Sequence, residues 1–123
     1  MSILKVIDEY IELACRYDVL RSLLSNQEPN SSYENVKARL AILEEQLLLV
    51  QQNYSETIAI QDIQALNDAY EVMVTKKEEL DNKAIALAEN SDKYGELIMA
   101  QNKARYYDSV ANDLKNYANK KKM

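Results

Sequence analysis

Between Ser32 and Gly95 the chain runs for more than sixty residues with neither proline nor glycine, and all 123 residues hold one of each. These are the two residues that most strongly interrupt helices. A sequence so poor in them is confined to long helical segments, and the spacing of its apolar residues agrees.

Ile3, Val6, Tyr10, Leu13, Tyr17, Leu20 and Leu24 alternate in steps of three and four, which sets them along one seam of a helix. Leu4, Ile7, Ile11, Ala14 and Leu23 widen that seam into a face broad enough for more than one neighbour. Asn26 to Ser31, with Pro29, forms the clearest break, and Ser31 with Glu34 has the form of a capping box for the next helix. So short a connection predicts an antiparallel second helix. Its seam is Tyr33, Val36, Leu40, Leu43, Leu47, Val50 and Tyr54, and Leu47 to Val50, apolar all round, is expected to be the most buried stretch. A five-residue step from Tyr54 to Ala59 then disturbs the register. Asn53, Ser55 and Thr57 favour turns and caps, so the reading prefers a break there to one continuous helix. A third seam follows through Ile63, Leu66, Tyr70, Met73, Lys77, Leu80, Ala84 and Leu87. After Asn90-Ser91-Asp92, where Ser91 or Asp92 is placed to cap, a fourth runs through Leu97, Ala100, Ala104, Tyr107, Ala111, Leu114 and Ala118. The expected fold is all-α: a three- or four-helix antiparallel bundle with coiled-coil character in a single helical domain, 1–123. Its helices span about 2–25, 32–53, 57–90 and 93–119, with a basic frayed tail over 116–123.

Composition excludes most catalysis. There is no histidine and a single cysteine, so neither a zinc cluster nor a histidine-activated nucleophile can be assembled. One glycine cannot make a phosphate loop. Cys15, among Leu13, Ala14 and Tyr17, reads as a small helical hydrophobe. Carboxylate pairs remain: Glu9/Glu12, Asp68/Glu71 and Glu78/Asp81 each share a helix face. The Glu9/Glu12 and Glu78/Asp81 pairs are similar to those with which all-α nucleotide pyrophosphatases of the MazG type hold magnesium. Here they lie too far apart in the chain for that pattern, and the expectation is a solvated acidic face with no metal or cofactor.

Charge is unevenly placed. Residues 1–92 carry 8 Lys/Arg against 17 Asp/Glu, a net −9, whereas residues 93–123 carry 7 against 3, a net +4. The basic end gathers Lys103, Arg105, Tyr106, Tyr107, Lys115, Tyr117, Lys120, Lys121 and Lys122 as the candidate partner-binding residues. Aromatics among cations can also stack nucleic-acid bases.

The sequence therefore predicts a non-enzymatic protein–protein interaction protein: an assembly factor, adaptor or small chaperone that self-associates and binds another protein. A nucleic-acid-binding accessory protein using the same basic helix is the alternative, and an acidic inhibitor that mimics nucleic acid a second one. No apolar stretch approaches the roughly 20 residues that span a bilayer, and acid enters too early for a signal peptide, so a cytoplasmic setting without membrane contact is expected. Abundant Asn, Lys, Ile and Tyr fit an AT-rich genome, such as that of a low-GC bacterium or its phage. An acidic helical body with a basic C-terminal segment also resembles in plan some phage scaffolding proteins. A chain ending near Asp113 is expected to stay folded and lose its partner.

Overall fold

The computed structural model describes residues 2–25, 31–89 and 91–122. Among them are four α-helices, α1 (Ile3–Ser25), α2 (Ser31–Ala59), α3 (Ile63–Ala88) and α4 (Tyr94–Lys121), with a 3₁₀ turn at Ser91–Lys93 and no strand. The all-α class is as the breaker-poor sequence dictates. The expected break at 26–30, its Pro29, the Ser31 capping side chain and Asn90 lie outside the described residues. The chain divides into two compact units, Met1–Glu56 and Thr57–Met123.

In the first unit α1 buries Val6, Ile7, Ile11 and Ala14, while α2 buries Leu43 and Tyr54. The deepest line of α1 is thus the Ile7–Ile11–Ala14 row, one step round from the seam the sequence singled out. Tyr10, in the first half of α1, stacks on Tyr54, in the second half of α2, with ring centroids 4.6 Å apart and planes at 13°. This pairing of an early residue with a late one is that of an antiparallel pair. Such a stack adds about 0.5–1.5 kcal/mol beyond the area it buries. On the outer side Arg16 Nη2 meets Glu12 Oε1 at 2.7 Å, an exposed pair of small energetic weight.

The expected break at 53–57 does not occur. α2 continues to Ala59, because the next buried residue after Tyr54 is Ile58, four positions on, and not Ala59. That step keeps the seam in register. The weak helix residues Asn53 and Ser55 stay exposed, at a cost of a few tenths of a kcal/mol each. The turn comes at 60–62. Gln61 N donates to Ile58 O at 3.2 Å and closes α2. Asp62, in extended conformation, accepts from Ala65 N at 2.7 Å and opens α3 as its N-cap. Asp62→Ala should lower stability by about 1 kcal/mol in urea titration, and Asp62→Ser should restore most of it.

The second unit is an antiparallel helix pair. Ala84 and Leu87 of α3 cluster with Ala100 of α4, edged by Leu80 and Leu97. Further along, Lys77 Nζ lies 3.6 Å from Asp108 Oδ1. At the far end Lys121 Nζ donates to Ala59 O at 2.9 Å and also to Gln61 O. As α3 is followed backwards, its partners on α4 advance, which fixes the direction and the register. The α4 seam is rich in alanine: Ala100, Ala104, Ala111 and Ala118 are buried with Tyr107, Val110 and Leu114. Small side chains let two helices approach closely, and the few large ones supply most of the burial free energy.

The C-terminal end differs from expectation. α4 is helical through Lys121, Ala118 is buried, and Leu114 is fully so, so the expected fraying from 116 is absent. The Lys121 ammonium sits on carbonyls at the C-terminal end of α2, where the helix dipole favours a cation. Lys121→Met should lower stability by about 0.5 kcal/mol in a thermal melt, an effect that fades in high salt. The start of α4 differs too. Its cap position is Lys93, which makes no side-chain capping bond, and the Ser91 side chain lies outside the described residues.

Candidate functional site

The candidate residues of α4 do not form one surface. Successive helical residues turn by about 100°. Arg105 and Lys120 therefore lie away from the seam packed on α3, while Lys103 and Lys115 occupy opposite shoulders of it. Tyr107 belongs to the core, 5% exposed. The ammonium groups of Lys76 and Lys103 lie 5.5 and 6.0 Å from its ring centroid. Its ring is thus committed to packing and cations of its own chain, and a base cannot stack on it. Lys120 lies over the half-buried Tyr117 at 5.7 Å. Tyr106 is half-buried as well. Arg105 Nη2 donates to Asn102 Oδ1 at 2.8 Å. Lys121 holds the α2–α3 turn, and Lys115 and Lys122 are exposed. The structure thus assembles two separate cation–aromatic groups and one structural lysine.

Two hollows mark the second unit. One, of about 580 Å³, lies between α3 and α4 and is lined by Lys77, Asp81, Ile98, Gln101, Arg105 and Asp108. Its two cations and two carboxylates balance, so the lining carries no net charge. The other runs along α3 past Asp68, Glu71, Thr75, Lys76 and Glu79. There Gln64 Nε2 donates to Asp68 Oδ1 at 2.9 Å and Thr75 Oγ1 to Glu71 O at 3.0 Å, both bonds of one helical turn. Among the described residues no group of three or more acids or cysteines is placed to hold a metal ion. Of the carboxylate pairs, Glu12 is engaged by Arg16, and Glu78 and Asp81 are exposed.

The feature that sequence reasoning misplaced is on α2. Leu48 and Leu49, expected at the most buried point of the fold, are 62% and 70% exposed, and Ile42 is 60% exposed. Leu47 and Val50 of the same run are only half-buried. Four consecutive apolar residues cover the whole circumference of a helix. Here one side of that circumference faces the interior and the other is free. A second set of exposed apolar side chains, Ile85, Tyr94, Ile98 and Met99, lies towards the end of the second unit where α3 gives way to α4. Single exposed hydrophobes are ordinary, whereas several at helical spacing on one face mark an interaction surface.

The chain matches no family model, no curated protein and no solved structure. Among the described residues no helix is long and apolar enough to cross a membrane.

Proposed function

We propose that this is a non-enzymatic helical interaction protein, an assembly factor, adaptor or small chaperone, which self-associates and docks a second protein in the cytoplasm. The observation that carries the docking of a second protein is the exposed aliphatic face of α2, with Ile42, Leu48 and Leu49 each at least 60% accessible, while the exposed Ile85, Ile98 and Met99 of the second unit support self-association. Water contact with this much leucine and isoleucine is unfavourable by roughly 25 cal/mol per Å². A covering helix recovers that free energy. The residue inventory supports the same view, because a chain without histidine and with one cysteine has few groups with which to transform a substrate.

Two measurements test it. Light scattering at micromolar concentration should give at least twice the 14.2 kDa of one chain, and a single-chain mass rejects self-association. Affinity purification from the native host, with and without nuclease, should recover a partner protein that survives the nuclease. A partner lost on nuclease treatment, with binding that collapses as salt rises, would instead favour the nucleic-acid reading. That alternative rests on Tyr106, Tyr107 and Tyr117 together with Lys103, Arg105, Lys115 and Lys120 to Lys122 of the basic end. It is weakened by the burial of Tyr107 and by the spread of the remaining cations around the helix.

A further inference from the structure

Acidic residues frame the free face of α2. Ile42 and Leu49 are two turns apart, about 10.5 Å along the axis, with Leu48 beside them and Glu45 between them. Glu44 borders the same face, and Glu56 continues it one turn past Gln52, whose Nε2 donates to Glu56 Oε1 at 3.1 Å. Between Arg39 and Lys76 the chain has no Lys or Arg at all. The exposed aliphatics therefore sit in a stretch of one charge sign, with no cation of that stretch to neutralise it.

We infer that this face of α2 receives a basic amphipathic helix of another protein, an inference that rests on the interaction reading above and names its partner chemistry. Apolar anchors three, four and seven residues apart lie over Ile42, Leu48 and Leu49, as in helix-in-groove recognition. Lysines or arginines beside those anchors meet Glu44, Glu45 and Glu56, which sets orientation and speeds encounter. A second copy of the chain is a poor occupant. Two α2 faces brought together oppose their carboxylates. The chain's own basic helix, α4, already has its apolar seam from Ala100 to Ala118 buried on α3.

The test titrates the full-length protein into three fluorescently labelled synthetic helices of about five turns. One has leucines at three-four spacing flanked by lysines, one has glutamates in place of the lysines, and one keeps the lysines with serines in place of the leucines. Only the first should bind saturably with one-to-one stoichiometry. The double change Leu48→Ser with Leu49→Ser should weaken it at least about tenfold, since both side chains leave the interface. Glu44→Gln with Glu45→Gln should weaken it a few-fold and flatten its salt dependence. Ile98→Ser with Met99→Ser, on the second unit, should leave it unchanged. All these side chains are exposed, so circular dichroism should show full helicity in every variant. Equal binding of the acidic helix, equal binding of the serine helix, or wild-type affinity in the Leu48/Leu49 variant overturns the proposal. So does a dimer that reverts to single chains in that variant, because a second copy then covers the face. Light scattering on the same samples separates the two levels. No peptide binding by a self-associated protein sinks this inference alone, while no binding by a single-chain protein removes support from the interaction reading too.

Discussion

A chain ended after Asp113 should be less stable than the full chain by at least about 3 kcal/mol in its second unit. It should also exchange the amides of the first two turns of α3 much faster. The sequence places Leu114 and Ala118 on the seam but predicts a basic tail fraying over 116–123 and a chain ending near Asp113 that stays folded and loses its partner. In the structure the removed segment carries Leu114, fully buried, and Ala118, 2% exposed. It also carries Lys121, which donates to Ala59 O and Gln61 O. Cross-helix pairs at Ala84 with Ala100, Lys77 with Asp108 and Gln61 with Lys121 place residues beyond Asp113 alongside the start of α3. Leu66 and Ala69, both buried there, lose their cover. One fully buried leucine alone is worth about 1.5–3 kcal/mol, and the two lost helical turns and the lysine contact add to it. Hydrogen exchange by mass spectrometry reads the effect locally, and thermal melting reads it globally. If both match the full chain, the packing of the last two turns of α4 is wrong. Because truncation destabilises the second unit, a partner lost on truncation reports unfolding as readily as a lost contact, so charge-reversing substitutions at Lys115 and Lys120, both exposed, are the better probe of the basic end.

The α4 seam was legible from spacing except for Val110, which is fully buried and lies outside the predicted row. Ala100, Ala104, Tyr107, Ala111, Leu114 and Ala118 are all buried, and Leu97 is half-buried. On α3, Leu66, Met73, Ala84 and Leu87 are buried as expected and Leu80 is half-buried. Periodicity works there because α3 and α4 pack on each other along their length, so one apolar stripe maps to one contact. On α2 it failed for two distinct reasons. At Tyr54 the seam could step by four to Ile58 or by five to Ala59, and local residue preferences pulled the reading towards a break. Burial of Ile58 outweighed those preferences, since a few tenths of a kcal/mol per residue is small beside the burial of an isoleucine. At Leu47 to Val50 the composition was read as burial, whereas an all-round apolar run only requires that each side have some apolar surroundings some of the time. The sequence cannot say whether those surroundings belong to the same chain. For the candidate site, counting cations along α4 carried no information about direction, and direction is what scatters Lys103, Arg105, Lys115 and Lys120 around the helix.

The contrast between two leucines decides whether the free face of α2 is free. Leu66→Ala should lower stability by about 3 kcal/mol, because Leu66 is fully buried and the cavity adds to the lost transfer free energy. Leu49→Ala, at a residue 70% exposed, should change stability by no more than about 0.5 kcal/mol, since leucine and alanine differ little in helix preference and no packing is lost. Both are measured by urea titration with far-ultraviolet circular dichroism, at low and high protein concentration. A large loss for Leu49→Ala at low concentration means that the side chain is covered within its own chain, and the docking face disappears. A loss that emerges only at high concentration means that another copy covers it, since association stabilises by mass action. Insensitivity at both, beside a strongly destabilised Leu66→Ala, leaves Ile42, Leu48 and Leu49 open for a partner, in the longest stretch of the chain that holds acids and no Lys or Arg.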